Sequence, residues 1–285
     1  MRWQAGRRSR NIEDRRGLRL SRKTAGGGIG VLVLTLIALY FGVDPGVFLN
    51  QGTQTSSNVS TQVRSYNASP VEEELADFIS VVLADTEDVW HDLFARMDKT
   101  YEEPTLVLFS GAVQSACGFA QAAMGPFYCP GDRKVYIDLG FYRDLKDRYH
   151  APGDFAQAYV IAHEIGHHVQ TLLGISKKVH ALRGRLNETE ANKLSVMQEL
   201  QADCLAGTWA YHAHKSRQIL EQGDVEEALN AASSIGDDRL QKQSRGFVTP
   251  DSFTHGSSAQ RVRWFRRGLE TGDIAQCNTF RAETL

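Results

Sequence analysis

The feature that most constrains this chain is the pattern H-E-x-x-H, formed by His163, Glu164 and His167. The pattern lies in residues 156–170, an apolar stretch whose composition favours a helix. On a helix, residues four apart lie on one face, so both imidazoles can point at a single ion while Glu164 lies beside them. This arrangement is typical of a zinc site that activates water. A third protein ligand is therefore expected elsewhere in the chain.

Length and composition allow a large folded core, since 42% of the 285 residues are hydrophobic. The length fits one large domain or two small ones, and the composition excludes a disordered chain. The net charge of −2 hides an asymmetry, because the first 23 residues contain nine basic residues and two acidic ones. Residues 1–25 are therefore predicted to be a basic cytoplasmic arm. We interpret its charge as a determinant of membrane orientation, and no nucleic-acid partner is expected.

Residues 26–43 contain no charged side chain, and their length of 18 residues is close to the shortest that spans a bilayer. A basic arm before an apolar segment is the pattern of the positive-inside rule. We therefore predict a single transmembrane signal anchor in the lipid bilayer, with the amino terminus in the cytoplasm. A buried helix of a soluble protein and a cleaved signal peptide are the alternatives. Residues 44–69 are mostly polar and predict a flexible linker.

Residues 70–285 are predicted to form one domain of the α+β class, mainly helical with a small β-sheet. Apolar residues recur with a period close to 3.6 over residues 71–97, which predicts a long amphipathic helix. β-Branched and aromatic residues predict strands at 105–110 and 134–138. The second strand is either a core strand or an edge strand that pairs with a substrate. Further helices are predicted at residues 177–185, 188–214, 225–235 and 258–271, the last with Ser257 as its N-cap.

The four cysteines of the chain all lie in the predicted domain. An even number of cysteines in a domain outside the cytoplasm suggests disulfides. The pairs Cys117–Cys129 and Cys204–Cys277 are favoured, because the first two cysteines flank a short Gly- and Ala-rich loop. Four buried free thiols are the alternative. No C-x-x-C occurs, so a zinc site made of cysteines is not expected.

The third ligand is sought in residues 195–207, where Glu199 and Asp203 lie four apart among apolar residues. Isolated carboxylates are costly in such surroundings. A catalytic zinc usually has three protein ligands, and two histidines with a glutamate are a recurrent set. We therefore predict that Glu199 joins His163 and His167 as a zinc ligand and that Asp203 accepts the ring N–H of one of these histidines. A solvated acidic face is the alternative.

These residues permit hydrolysis by a zinc-activated water, with Glu164 as the general base that takes the proton of the water. His168 is one residue, or about 100° of helical rotation, beyond His167 and is not expected to be a ligand. Tyr159 lies one turn before His163. It is expected to be a core residue, and the alternative is that it lines the active-site cleft.

Longer stretches around these motifs resemble the bacterial neutral zinc metallopeptidase family (YpfJ type). The similarity extends over nearly the whole chain, with its most specific parts at residues 1–4, 13–16, 125–130, 152–170, 199–207 and 254–267. It implies a zincin-like peptidase domain that is tethered to the inner membrane of a bacterium and faces the periplasm or the cell exterior. A peptide or protein substrate is implied, but neither its identity nor the oligomeric state of the enzyme is.

The segment 254–267 contains His255 and Arg261, the candidate catalytic donors to a developing oxyanion. The alternatives are a surface-loop histidine and an arginine that pairs with an acidic group on the helix 258–271. The predicted function is that of a membrane-anchored zinc-dependent peptidase. The alternative is a non-catalytic, zinc-stabilised envelope protein that binds a partner or acts as a scaffold. Glu164 favours catalysis, because a degenerate enzyme usually loses its general base.

Overall fold

The computed structural model describes residues 1–20, 61–63 and 66–285. They belong to two compact units, one formed by Met1–Arg16 with Tyr66–Leu285 and the other by Gly17–Ser65. The predicted transmembrane segment, residues 26–43, lies outside the described residues. Within the described ranges, no helix combines the length and the apolar character that crossing a bilayer requires.

The larger unit is of the α+β class and is mainly helical with a small sheet, as predicted. In chain order, the strands of the described residues are β1 (Ile12–Asp14), β2 (Leu18–Leu20), β3 (Thr61–Val63), β4 (Thr105–Phe109), β5 (Ala112–Ser115), β6 (Gly118–Gln121), β7 (Phe127–Cys129) and β8 (Lys134–Asp138). The helices of the described residues are α1 (Pro70–Arg96), α2 (Gly140–Asp147), α3 (Asp154–Leu172), α4 (Ile175–Arg183), α5 (Glu188–Arg217), α6 (Asp224–Ser234), α7 (Asp237–Arg245) and α8 (Ser258–Thr271).

The predicted helices and both predicted strands are present, with ends that differ by up to three residues. Local chemistry explains where they begin. Ser69 and Glu72 form a reciprocal capping box at the start of α1, and Ser257 does the same with Gln260 at the start of α8. The predicted linker contains the short strand β3, which pairs antiparallel with β2 in the second unit. An element of three residues is too short for a sequence pattern to reveal.

A four-stranded sheet supports one side of the larger unit, with the strand order β1-β4-β8-β7. β1, β4 and β8 run parallel, and β7 is antiparallel to β8. Because β8 lies between two neighbours, residues 134–138 form an interior strand and not the substrate-pairing edge that the sequence left open. β7 is at the edge instead. The strands β5 and β6 form a separate hairpin.

The amino-terminal residues are part of the larger unit, although the sequence predicted a separate basic arm. β1 is hydrogen-bonded to β4, and Met1 is buried in the core. The basic side chains also have partners on the acidic face of α1: Arg7 with Glu87 and Asp88, Arg8 with Asp77, and Arg16 with Glu73. These residues are therefore counter-ions within a folded domain, and this weakens their interpretation as a signal for membrane orientation.

The residues that make up this unit are also relevant to the orientation of the chain in a membrane. A single span at residues 26–43 would separate residues 1–25 from residues 70–285 by a bilayer. In the structure, Met1–Arg16 and Tyr66–Leu285 form one unit, and strands that share a ladder cannot lie on opposite sides of a membrane. The predicted orientation stays a prediction, and it has to be compatible with the pairing of β1 with β4.

We expect residues 10 and 247 to be on the same side of the membrane. Arg10 and Phe247 are both exposed and belong to the same unit, so Arg10→Cys and Phe247→Cys should react alike with a membrane-impermeant maleimide in cells with an intact cytoplasmic membrane. Lysed cells give the full labelling of each variant for comparison. Labelling of one cysteine before lysis and of the other only after lysis would contradict the structure.

Close packing of helices brings the predicted site residues together. α3 packs against α5 and α6, and α5 also packs against α8. A β-carbon added at Gly268 would lie 1.9 Å from the carbonyl oxygen of Cys204, so α8 approaches α5 at a distance that only glycine permits. The disulfide Cys204–Cys277 then ties α5 to the turn after α8. This disulfide and Cys117–Cys129 confirm both favoured pairs.

Candidate metal centre

The H-E-x-x-H residues and the predicted third ligand meet at the crossing of α3 and α5. Nε2 of His163 lies 3.2 Å from Oε2 of Glu199, and Nε2 of His167 lies 3.4 Å from Oε1 of the same carboxylate. Within the described ranges, these three side chains form a group whose ligand atoms all lie within 4.8 Å of one another. The group can therefore hold a metal ion.

The three convergent side chains are of the kinds that bind zinc. Zinc lies about 2.0–2.2 Å from histidine nitrogen and carboxylate oxygen, and at a tetrahedral angle two such ligands are separated by about 3.3 Å. The separations of 3.2 and 3.4 Å run to different oxygens of Glu199, so whichever oxygen binds the ion has one histidine nitrogen close to this distance. Both histidines present Nε2 to the same carboxylate, because their Nδ1 atoms have other partners. The donor set thus suits zinc with one position left open.

Asp203 accepts a hydrogen bond from the ring of His163 on the side away from Glu199, as the sequence predicted. Nδ1 of His163 donates to Oδ1 of Asp203 over 2.8 Å, which leaves Nε2 as a lone-pair donor. Asp203 also accepts a 2.5 Å bond from the hydroxyl of Tyr159. Nε and Nη2 of Arg261 each donate to a different oxygen of this carboxylate over 2.9 Å. All of these groups are buried.

These contacts also define the surroundings of Arg261. Its guanidinium is held by Asp203, the hydroxyl of Tyr159 and, more weakly, the carbonyl of Ile235. Arg261 borders the central cavity, but its donors point at the carboxylate that supports His163. Arg261 is therefore the partner of an acidic group on α5 and not on its own helix, and its role as oxyanion donor stays a prediction. Tyr159 likewise is a core residue that also touches the cavity.

Gln170 supports the second histidine. Nδ1 of His167 donates to Oε1 of Gln170 over 2.9 Å, and the amide nitrogen of Gln170 donates to the carbonyl of Gln198 and to Gln201. Gln201 in turn donates to the carbonyl of Cys277. The sequence analysis did not identify Gln170, although its position three residues after His167 places both on one helix face.

We expect Gln170→Leu to weaken zinc binding by about tenfold or more, because His167 loses the acceptor that orients its ring. Gln170→Glu keeps an acceptor for His167, so its affinity for zinc should fall much less. Competition with a chromogenic chelator measures the affinity of the full chain, and the exposed Gln114→Leu serves as the control. Equal affinities of the Leu variant and the wild type would show that the contact has no role in metal binding.

The charges at the site favour a cation. Burial alone would lower the pKa of His163, but the carboxylates of Asp203 and Glu199 outweigh burial and raise the pKa to about 10. Burial would raise the pKa of Asp203, but Arg261 and His163 lower it to about 2. The two histidines similarly hold the pKa of Glu199 well below its ordinary value. Without a metal, the site therefore binds protons that an incoming cation must displace.

A cavity of about 350 Å³ opens onto the three ligand atoms. Glu164 lies in its wall with 8% of its surface exposed, and no described residue donates a hydrogen bond to its carboxylate. Phe127 and Tyr128 of the edge strand β7 form another part of the wall, and Phe141 and Val160 give it an apolar side. The cavity thus combines an available proton acceptor with space for a peptide.

His255 also lines this cavity, at the start of the segment before α8. Its Nδ1 lies 3.2 Å from Oδ1 of Asp237, while Oδ2 of Asp237 accepts the backbone N–H groups of Thr254, His255 and Gly256. The hydrogen bond with Asp237 raises the pKa of His255. The structure therefore brings His255 to the cavity in a loop organised by Asp237, a residue that the sequence analysis did not single out.

His168 points away from the candidate metal centre, as its helical position predicted. Its Nε2 lies 2.6 Å from the carbonyl oxygen of Glu102, and its Nδ1 lies 3.1 Å from the hydroxyl of Tyr128. Burial lowers the pKa of His168 to about 4. The ring is therefore a neutral core residue that connects α3 to the sheet side of the domain.

A second acidic group lies at the amino ends of α3 and α6. Oxygen atoms of Asp154, Asp224 and Glu227 are close enough to hold an ion. The α-ammonium group of Met1 lies 2.6 Å from Asp154 and 3.4 Å from Asp224. Because the chain itself supplies the positive charge here, we assign no metal to this cluster.

Comparisons with known proteins agree with this geometry. A family model described as "Putative neutral zinc metallopeptidase" matches residues 1–280. The chain is 53% identical to "Uncharacterized protein YpfJ" of Escherichia coli (strain K12), over 98% of this chain and 99% of that protein. It is 37% identical to "Uncharacterized protein Mb2605" of Mycobacterium bovis and to "Uncharacterized protein Rv2575" of Mycobacterium tuberculosis, over 87% of this chain and 86% of each relative. No solved structure matches the chain.

Proposed function

The chain belongs to the neutral zinc metallopeptidase family, and we propose that it is an enzyme that hydrolyses peptide bonds with zinc as its cofactor. His163, His167 and Glu199 are the proposed ligands. The observation that carries the proposal is the position of Glu164, whose buried carboxylate is free of described partners beside three convergent ligand atoms. A site that bound metal only for stability would have no need of this unpaired acid.

The proposed reaction is the attack of water on a peptide carbonyl. Zinc, when bound, supplies a Lewis acid that polarises the carbonyl and lowers the pKa of water at the site. Glu164 accepts the proton of the attacking water and returns it to the departing amine. Asp203 keeps the proton of His163 on Nδ1, and Gln170 does the same for His167, so both Nε2 atoms remain ligands.

His255 is the proposed donor to the oxyanion that develops on the carbonyl. Its Nδ1 is occupied by Asp237 and Thr254, so Nε2 is the ring atom available to a substrate. Asp237 raises the pKa of His255, and this favours the protonated ring that a donor requires. Arg261 acts at a distance from the substrate, through the carboxylate of Asp203.

The substrate is a peptide or protein, and β7 is the element best placed to align it. β7 lies at the edge of the sheet, and its residues Phe127 and Tyr128 line the cavity that contains Glu164. An extended peptide can pair with the backbone of such a strand while its side chains enter alternate pockets. We make no proposal about the oligomeric state.

We further propose that the enzyme acts outside the cytoplasm and that residues 26–43 associate with the lipid bilayer. The two disulfides support an oxidising compartment, where such bonds form and persist. The apolar composition of residues 26–43 supports contact with lipid. The ion pairs of Met1–Arg16 argue that these residues accompany the domain rather than remain behind in the cytoplasm.

Hydrolysis of an unbiased peptide library by the full chain tests the proposed function. We expect cleavage by the zinc-loaded protein, loss of cleavage with a chelator, and recovery when zinc is restored. Mass spectrometry of the products reports the cleaved bonds. A zinc-loaded, folded protein that cleaves nothing in the library would favour the non-catalytic alternative.

A further inference from the structure

A second cavity of about 250 Å³ lies beside the one that contains the candidate metal centre. Arg148, at the end of α2, and Tyr149 line both cavities. Along the chain, Ser234 lines the second cavity and Ile235 the first. On α7, Arg239 lines the second cavity and Leu240 lines the first. The two cavities are therefore neighbours that share a wall.

The second cavity is lined by positive charge. Arg148, Arg239 and Lys242 converge on it together with His150, and no aspartate or glutamate is among its lining residues. Within the described ranges, none of these three cations forms an ion pair, in contrast to the arginines of the amino-terminal segment. Three unpaired cations around one concave space attract an anion.

A buried hydroxyl provides an independent sign that a ligand binds here. Ser234, the last residue of α6, lines the cavity with only 2% of its surface exposed. Its Oγ has no hydrogen-bond partner among the described residues. Buried hydroxyls are nearly always hydrogen-bonded, so the Ser234 hydroxyl is a donor that an acceptor bound in this cavity would satisfy. A carboxylate oxygen has the chemistry to accept from both a hydroxyl and a guanidinium.

We propose that the second cavity binds a carboxylate group of the peptide whose scissile bond lies at the metal centre. This inference rests on the proposed function, because peptides carry carboxylates as their usual anionic groups and the second cavity is adjacent to the one that holds the metal centre. The carboxylate belongs either to an aspartate or glutamate side chain or to the carboxyl terminus of the peptide. The site thereby selects substrates that carry a negative charge at a fixed distance from the cleaved bond.

The test uses sets of matched peptides with one cleavage site. In one arm, glutamate is replaced by glutamine at each position near the scissile bond; in the other, the terminal carboxylate is replaced by an amide. We expect the wild-type kcat/KM to fall in one of the two arms. The arm in which it falls shows whether the bound carboxylate is a side chain or the carboxyl terminus of the peptide. Exposed ion pairs contribute about threefold each, so the Arg239→Gln, Lys242→Gln double variant should lose about tenfold on the acidic peptide.

The double variant should cleave the neutral peptide as the wild type does, because the chemical step is untouched. Arg245→Gln removes an exposed charge from the same helix outside the cavity and is the matched control. Raising the salt concentration should reduce the preference for the acidic peptide, since screening weakens exposed charge pairs. Equal cleavage of acidic and neutral peptides by the wild type would overturn the proposal, as would an equal loss on both peptides in the double variant.

Binding distinguishes a failure of this inference from a failure of the proposed function. Fluorescence anisotropy of the labelled peptides with the Glu164→Gln variant reports affinity without cleavage. A preference of about tenfold for the acidic peptide, lost in the Arg239→Gln, Lys242→Gln background, would support the site even if no peptide were hydrolysed. Equal binding of both peptides would contradict the proposal that the second cavity binds a carboxylate, whether or not hydrolysis occurs.

Discussion

Glu164→Gln is expected to lower kcat for peptide hydrolysis by at least about 10²-fold and up to about 10⁴-fold, because it removes the group that takes the proton of water. Glutamine has nearly the shape of glutamate, and Glu164 accepts no hydrogen bond from a described residue, so the fold should be unchanged. The zinc content should also be unchanged, since Glu164 is not one of the three convergent ligands.

The measurement is kcat with a single cleavable peptide, together with the metal content of the same preparation. Asp147→Asn, which removes an exposed carboxylate from α2, is the control and should keep the wild-type rate. A Glu164→Gln protein that retains both zinc and the wild-type rate would remove Glu164 from the mechanism. Loss of zinc together with activity would instead show that Glu164 supports the metal.

Asp203→Asn is expected to lower the free energy of unfolding of the metal-free chain by about 3–5 kcal/mol, since it leaves Arg261 buried without its carboxylate. The same change removes the acceptor of His163 Nδ1 and should weaken zinc binding by about tenfold or more. Urea unfolding in the presence of a chelator measures the first effect separately from the second. Asp251→Asn, at an exposed position, is the control.

A double-mutant cycle with Arg261→Met shows whether the loss comes from the buried pair. Because the penalty arises from an uncompensated charge, Arg261→Met should cost far less in the Asp203→Asn background than in the wild type. Additive losses would contradict the pairing.

The stabilisation should depend on pH in a defined direction. Folding lowers the pKa of Asp203 from 3.8 to about 2, because Arg261 and His163 outweigh the effect of burial. A depressed carboxyl pKa stabilises the folded state fully above the unfolded value, and this contribution is lost as the pH falls toward about 2. The difference between wild type and Asp203→Asn should therefore shrink below about pH 4, and it should also shrink as the pH rises above about 6.5, because Asp203 raises the pKa of His163 to about 10.

The residues of the metal centre were predictable where a helical spacing of four defines a shared face. His163 and His167 on α3, and Glu199 and Asp203 on α5, each belong to such a pair, and the cost of burying acids indicated that the two helices face each other. Arg261 was predictable as a candidate but not as a partner of Asp203. That contact depends on how closely α8 approaches α5 at Gly268, which is a property of the packed helices.

The supporting residues Gln170 and Asp237 were harder to find for different reasons. A glutamine on an apolar helix has many ordinary roles, and only the position of the Gln198 carbonyl shows which way its amide points. Asp237 acts on a loop about 18 residues further along the chain, and no periodicity links the two. α7, which begins at Asp237, is short and highly polar, so its sequence carries no apolar pattern to predict a helix.

The contacts of the amino-terminal segment could not be predicted from its charge pattern. Nine basic residues before an apolar stretch indicate membrane orientation when considered alone. Arg7 and Arg8 have acidic partners about 70–80 residues later on α1, and only the folded chain brings Arg8 to Asp77 and Arg7 to Glu87. The parallel pairing of β1 with β4 is equally non-local, since it joins Ile12 to Leu106.

The metal content of the full-length chain tests the central claim most directly. Elemental analysis of the protein purified in detergent should give about one zinc per wild-type chain. His163→Ala and Glu199→Ala should reduce it to near zero. His91→Ala is the matched control, because His91 also pairs with a glutamate, Glu103, but lies at the surface away from the centre and should keep the wild-type content. Equal zinc in all four proteins would contradict the assignment of His163, His167 and Glu199 as the ligands.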